Sequence, residues 1–216
     1  MSDTATAAPS IFVPDSPAAW RRLLLALAIG AMGSVGLWSA VVALPVVQAD
    51  FGSTRGTAAL AVVAANLGFG VGGVLTGRLT DRFGIVTAIA AGIAALLAGY
   101  TGASLVAAQW QFSALHFLIG VGASATFAPL MAEASHWFVK RRGIAVSIAA
   151  SGNYVAGAIW PPLIERGMAT FGWRPTHLAV GLICAVGMSV LLLLLRASMR
   201  GSQRRADASL SHRTID

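Results

Sequence analysis

The sequence predicts an all-α membrane protein: a bundle of six transmembrane helices. Three observations carry that expectation. Six long, continuously apolar stretches lie between Leu23 and Leu195. The basic residues between them fall almost entirely on alternate connections. The composition is 56% apolar and 11% charged, with a mean hydropathy of +0.75, a balance that a soluble globular domain does not tolerate. Strands are excluded as the spanning element because the runs do not alternate. In lipid each backbone N–H and C=O must be satisfied within its own segment, which leaves the helix.

The stretches run roughly Leu23–Val47, Ala58–Leu79, Ile85–Ala107, Phe112–Ala134, Gly143–Ile164 and Leu178–Leu195, each near the ~20 residues that cross a ~30 Å hydrocarbon core. Ahead of the first, Ser16-Pro17 supplies an N-cap and an N1 proline. That first stretch is too long for the ~7–15-residue apolar region of a cleaved signal peptide. The second holds Gly68-Phe69-Gly70-Val71-Gly72-Gly73, which fits the dinucleotide-binding pattern GxGxxG but lacks the preceding strand. It reads instead as packing, with Gly68/Gly72 and Gly73/Gly77 as two small-xxx-small pairs. Trp20 and Trp137 fall at the inner interface and Trp110, Trp160 and Trp173 at the outer one, with Trp38 in mid-span. The organisation is then a disordered cytoplasmic arm (1–19), the membrane lobe (20–200) and a cytoplasmic tail (201–216) that looks like the start of a central linker.

Charge orients the lobe. Arg21 and Arg22, Arg78 and Arg82, Lys140 to Arg142, and Arg196, Arg200, Arg204, Arg205 and Arg213 share one side; Arg55, Arg166 and Arg174 take the other. Basic loops stay inside, so both termini are expected in the cytoplasm and the protein in the cell (inner) membrane. The net charge of +7 reflects contact with an anionic leaflet. The cations are split among short turns and form no nucleic-acid patch.

Chemistry of other kinds finds little support. Cys184 is the single cysteine, so no disulfide framework exists. His116 and His136 share the fourth span about 30 Å apart, and His177 and His212 lie elsewhere, so no metal site is expected. No cofactor motif survives. An intramembrane protease would need Ser151 and His177 within hydrogen-bond reach, yet the topology sets them at different depths.

Two loops carry the sharper signals. Gly77-Arg78-Leu79-Thr80-Asp81-Arg82-Phe83-Gly84 joins the second and third spans. Trp137-Phe138-Val139-Lys140-Arg141-Arg142 joins the fourth to the fifth and runs on to Ser151-Gly152. The first resembles the loop signature G-x-L-[AGT]-D-R-x-G-[RK]-[RK] of the major facilitator superfamily, matching at Gly77, Leu79, Thr80, Asp81, Arg82 and Gly84; Ile85-Val86 replace the final basic pair. The second is similar to the signature of the monocarboxylate and oxalate/formate branch, with Ser147 where glycine is common. Phe171-Gly172-Trp173-Arg174 is similar to a turn of the same transporters, whereas the acidic-Gly-Gly motif of eukaryotic monocarboxylate carriers is missing. Phe83-Gly84 and Phe171-Gly172, 88 residues apart, are the echo expected of a three-helix repeat.

The resemblance implies an all-α lobe of a major facilitator fold, six transmembrane helices in two three-helix repeats, not an enzyme, that moves a small organic anion by alternating access. It implies that Asp81 gates by pairing with an arginine and with a helix N-terminus of the opposite half. It implies a pathway along spans one, two, four and five, where Ser34, Trp38, Asn66, His116, Thr126, Asn153 and Tyr154 stand, while spans three and six face lipid. Glu133, one turn from His136, is expected to form an ion pair with the loop cations or, second, to serve as a protonatable coupling site. No Lys or Arg lies deep in any span, so the cation that binds the anion is expected from a second lobe. The chain is then a truncated product, a half-transporter paired with another six-helix chain, or a homodimer. An inert half or a regulatory partner of a full carrier is the alternative reading.

Overall fold

The structure is a computed structural model that describes residues 15–213, with side chains through Gly201. All of its elements are helices: α1 (Pro17–Gly33), α2 (Val35–Asp50), α3 (Arg55–Phe83), α4 (Ile85–Ser104), α5 (Gln109–Ser124), α6 (Ala128–Trp137), α7 (Arg142–Phe171) and α8 (Trp173–Arg213). Together they make six membrane-crossing spans, because α1 with α2 and α5 with α6 each cross as a pair.

Local sequence explains the boundaries. Ser16 Oγ accepts from Ala19 N–H and Pro17 opens α1, so order begins inside the segment read as arm. Asp15 is also placed, which limits the disordered-arm reading to residues 1–14, outside the described residues. At the other terminus α8 continues as helix through Arg213 instead of breaking near 201; the rest of the tail reading lies outside the described residues. Thr54 caps α3 through its hydroxyl. Gly84 and Gly172 take φ/ψ of 83°/162° and 85°/165°, a left-handed setting closed to most side chains. Each lets one span stop and the next start without a linker. Gly84 N–H bonds Thr80 O, and Gly172 N–H bonds Met168 O, so the 88-residue echo is a real structural repeat.

The two triplets interlock. Span two (α3) packs on span four (α5), and span five (α7) packs on span one (α1, α2). Spans three and six (α4, α8) lie against each other. At the first crossing a Cβ on Gly68 would overlap the Phe117 carbonyl, and one on Gly120 would overlap that of Ala65. Backbones therefore touch directly, the close approach that small residues permit in lipid. The Gly68/Gly72 pair serves this contact. The Gly73/Gly77 pair does not: nothing lies within 4 Å of a Cβ at either position.

Inside the lobe Ile29, Ile89, Leu96, Phe112, Ile119, Leu130, Ile164 and Met188 are buried. Tyr100 is buried among them and donates to Ser39 Oγ at 2.7 Å. Outside, α3 exposes Leu60, Val63, Leu67, Val71 and Val74, and α8 exposes Leu182, Ile183, Val186, Val190 and Leu193. Apolar faces of that extent suit lipid or a second lobe. The chain is a multi-pass membrane protein.

Candidate functional site

Spans one and four are both interrupted near mid-membrane. Span one breaks at Ser34, where α1 ends and α2 begins. Span four breaks over 125–127, between α5 and α6. There Ala125, Thr126 and Phe127 N–H groups bond three residues back instead of four. The cause is Pro129 in the first turn of α6, which has no N–H and whose ring clashes with the carbonyl of Ala125, four residues back. In span one Gly30, Gly33 and Gly36 weaken the helix around Ser34. The two breaks face each other, with Gly33 directly against the Thr126 side chain. Spans one and four hold corresponding positions in the two repeats, and paired interruptions of that kind mark transporter binding regions. The sequence reading took Ser34 and Thr126 for the pathway but passed over Pro129, the one local signal of the break.

Ser34 and Thr126 are themselves buried, and Thr126 Oγ1 bonds Ala123 O. Beside them spans one and five are cross-braced. Trp38 Nε1 donates to Asn153 O at 3.2 Å, Trp160 Nε1 donates to Ala31 O at 2.9 Å, and Gly152 lies on Leu27 and Ala31 backbone. Trp160 thus braces span one from within α7 instead of standing at an interface. Asn153 Oδ1 is buried with no partner among the described residues, and Tyr154 beside it is 75% exposed. Trp38 and the Asn153 backbone are thus joined, while Tyr154 lies on the exposed face of α7. Asn66 lies apart on the exposed face of α3, its amide bonded to Val62 O.

His116 is turned away from any open face. It is fully buried against Phe112, with its ring centroid 5.7 Å from that of His177. His116 Nδ1 bonds Phe112 O and His177 Nδ1 bonds Trp173 O. A carbonyl only accepts, so both Nδ1 atoms carry the hydrogen and both Nε2 atoms are acceptors, each without a partner among the described residues. The sequence placed His177 at a helix start but gave no sign of its direction. Among the described residues no three metal-ligating groups converge.

At the end bearing the N-terminus, Trp137 Nε1 donates to Glu133 Oε1 at 2.6 Å, and Arg22 sits 3.6 Å from the Trp137 ring centroid. Glu133 therefore pairs with an indole; no ion pair with His136 or Lys140 forms among the described residues. The indole stands one turn on along the same helix, within hydrogen-bond reach of the carboxylate. Arg22 also donates to Ser198 O and Oγ, tying spans one, four and six. Phe138 is buried edge-on to Trp20, 5.1 Å between centroids. Lys140, Arg141 and Arg142 are exposed. The N–H groups of Val139, Lys140 and Arg141 converge on the Asp15 carboxylate. Desolvation pulls the Asp15 carboxyl upward, but those three donors outweigh it and hold the group below its usual value. In the other loop Asp81, Arg82 and Gly84 are exposed and Gly77 has open space around it. Asp81 forms no ion pair among the described residues, so its carboxylate is available to a group outside this lobe.

At the opposite end Arg174 pairs with Asp50 at 2.9 Å, donates to Val106 O and stacks on Trp173. One side chain of the Phe-Gly-Trp-Arg turn thereby ties together all three connections at that end.

Comparison with known proteins agrees with this architecture. The profile described as the Major Facilitator Superfamily matches residues 19–214. The chain is 33% identical over 122 residues to the agnestins efflux protein of Paecilomyces divaricatus, a match covering 55% of this chain and 28% of that one. It is 28% identical over 156 residues to a probable sulfoacetate transporter of Cupriavidus necator, covering 69% and 35%. It is 28% identical over 144 residues to a riboflavin transporter of Trypanosoma brucei brucei, covering 66% and 26%. The chain thus spans about a third of the length of these relatives. With its six interlocked spans, duplicated Phe-Gly cap and profile match along nearly its whole length, the chain belongs to the major facilitator superfamily.

Proposed function

We propose that this chain is one lobe of a secondary transporter that carries a small organic anion by alternating access. The paired interruption of spans one and four, Gly33 against Thr126, is the observation that supports it most. Breaking a span leaves the first-turn N–H groups of the following half-helix without intrahelical acceptors, and the helix dipole makes that end positive. The half-helices α2 and α6 both begin at the break. The C-terminal ends of α1 and α5 meet the same breaks and offset that charge, and no Lys or Arg lies there. With His116 turned inward, the full counter-charge for an anion comes from a second six-helix lobe, another chain or a second copy. The sulfoacetate transporter among the relatives favours a small anion; the efflux and riboflavin proteins show how far substrates range in this family. The basic end faces the cytoplasm of a cell membrane, and Asp81 gates against the partner lobe.

The test is uptake of labelled monocarboxylates and sulfoacetate into proteoliposomes, by this chain alone and with a co-expressed second lobe. Saturable uptake in either arrangement, reduced by Pro129→Ala, is the expected result. No uptake in either, with the chain folded and inserted, refutes the reading and leaves a non-transporting partner of a full-length carrier. Asp81→Asn in the completed carrier slows turnover without changing surface expression.

A further inference from the structure

Arg21 and Arg22 are neighbours in α1 with opposite surroundings. Arg22 is buried, held by Ser198 and stacked on Trp137. Arg21 is exposed, and no hydrogen bond or ion pair joins it to another described residue. It stands at the mouth of a groove of about 550 Å³ between α1 and the far part of α8. Leu24, Leu25 and Leu194 form the apolar walls, and the small residues Ala18 and Gly201 leave the mouth open. Leu24 is 59% and Leu194 51% exposed, so the trough opens outward, on the side where α8 shows its apolar face.

A second groove of about 530 Å³ lies at the other end, between α7 and α8. Trp160, Leu163, Phe171 and Ile183 line it, and it contains no charged residue. The contrast decides the chemistry. Both grooves offer a bed for an acyl chain, but only the first adds an unpaired guanidinium at the level where headgroups lie. A guanidinium recognises a phosphate through two parallel N–H···O bonds, and its stem extends along apolar surface while the head stays at the polar boundary.

We propose that the α1–α8 groove binds an anionic phospholipid, its phosphate on Arg21 and one acyl chain along Leu24 and Leu194. The site is separate from the breaks in spans one and four, and it stands whether or not the lobe transports. The phosphate end closes over Arg21, and the chain end follows the exposed strip of α8.

The experiment is native mass spectrometry of the full chain released from detergent with an equal mixture of phosphatidylglycerol and phosphatidylcholine of matched acyl chains. The wild type retains phosphatidylglycerol about five-fold over phosphatidylcholine, the factor equivalent to the ~1 kcal/mol that one basic residue contributes near an anionic surface. Arg21→Gln brings the ratio to about one, whereas Arg78→Gln, an exposed arginine elsewhere, leaves it unchanged. Leu194→Trp fills the trough and lowers retention of both lipids with Arg21 intact. Circular dichroism establishes that each variant is folded. Equal retention by the wild type overturns the proposal. So does a preference that survives Arg21→Gln, which belongs to the general basic surface. A preference that appears only after residues 202–216 are removed also overturns it, because the chain's own C-terminal segment is then the occupant.

Discussion

Replacing glycine by alanine in span two or four tests the packing by sign as well as by size. Alanine is favoured over glycine in a helix interior by about 1 kcal/mol. At Gly73 nothing lies within 4 Å of the new methyl group, so Gly73→Ala gains that preference and is neutral to stabilising by up to about 1 kcal/mol. At Gly120 the methyl group meets the Ala65 carbonyl, which cannot rotate away as a side-chain tip can. Overpacking of that kind costs about 1–3 kcal/mol, and a backbone obstacle puts it at the upper end. Subtracting the helix preference leaves Gly120→Ala destabilised by about 2 kcal/mol. The same one-carbon change thus separates the two variants by about 3 kcal/mol. Unfolding in mixed micelles, followed by circular dichroism against denaturing detergent, measures it. Equal loss at both positions would show that the Gly73/Gly77 face is packed within the lobe and that the crossing has been placed on the wrong side of α3.

Trp160→Phe keeps the ring volume and removes the indole bond to Ala31; the same unfolding assay should show a loss of about 0.6 kcal/mol and at most about 1.7. His177→Phe retains an aromatic ring and removes one unpaired Nε2, so it should be neutral or mildly stabilising. A loss above about 2 kcal/mol would instead reveal a partner for that nitrogen in the bilayer. The Asp15 tether to residues 139–141 depends on the carboxylate. Its folded pKa lies below that of an ordinary aspartate, so the tether's contribution is complete above the ordinary value and fades as pH falls through the lowered one. Amide hydrogen exchange at 139–141, corrected for intrinsic rates, should show protection at neutral pH that is lost in strong acid, and Asp15→Asn should remove that dependence.

The sequence carried the spans, their order and the repeat, because those rest on continuous hydropathy and on two glycines with nowhere else to go. Gly84 and Gly172 were legible as a pair since only a left-handed cap joins two spans so tightly. Side-chain direction was not legible. His116 occupies a helix position that could face either way, and it faces in because His177 arrives from a span some sixty positions later. Glu133 was matched to the nearest cations in sequence, yet the indole four residues on is held at fixed distance by the helix while Lys140 is not. The break in span four was hidden because proline counts as apolar in a hydropathy run, though its missing N–H interrupts the ladder. Gly73/Gly77 has the same spacing as Gly68/Gly72, and only the partner span tells them apart.

The way the triplets are interleaved limits how the molecule can flex. Each triplet lends one long span to the other's flank, so the halves grip like folded hands and share no seam along which they could part. Any large shape change of the lobe therefore keeps the six rods together and falls at their outer border.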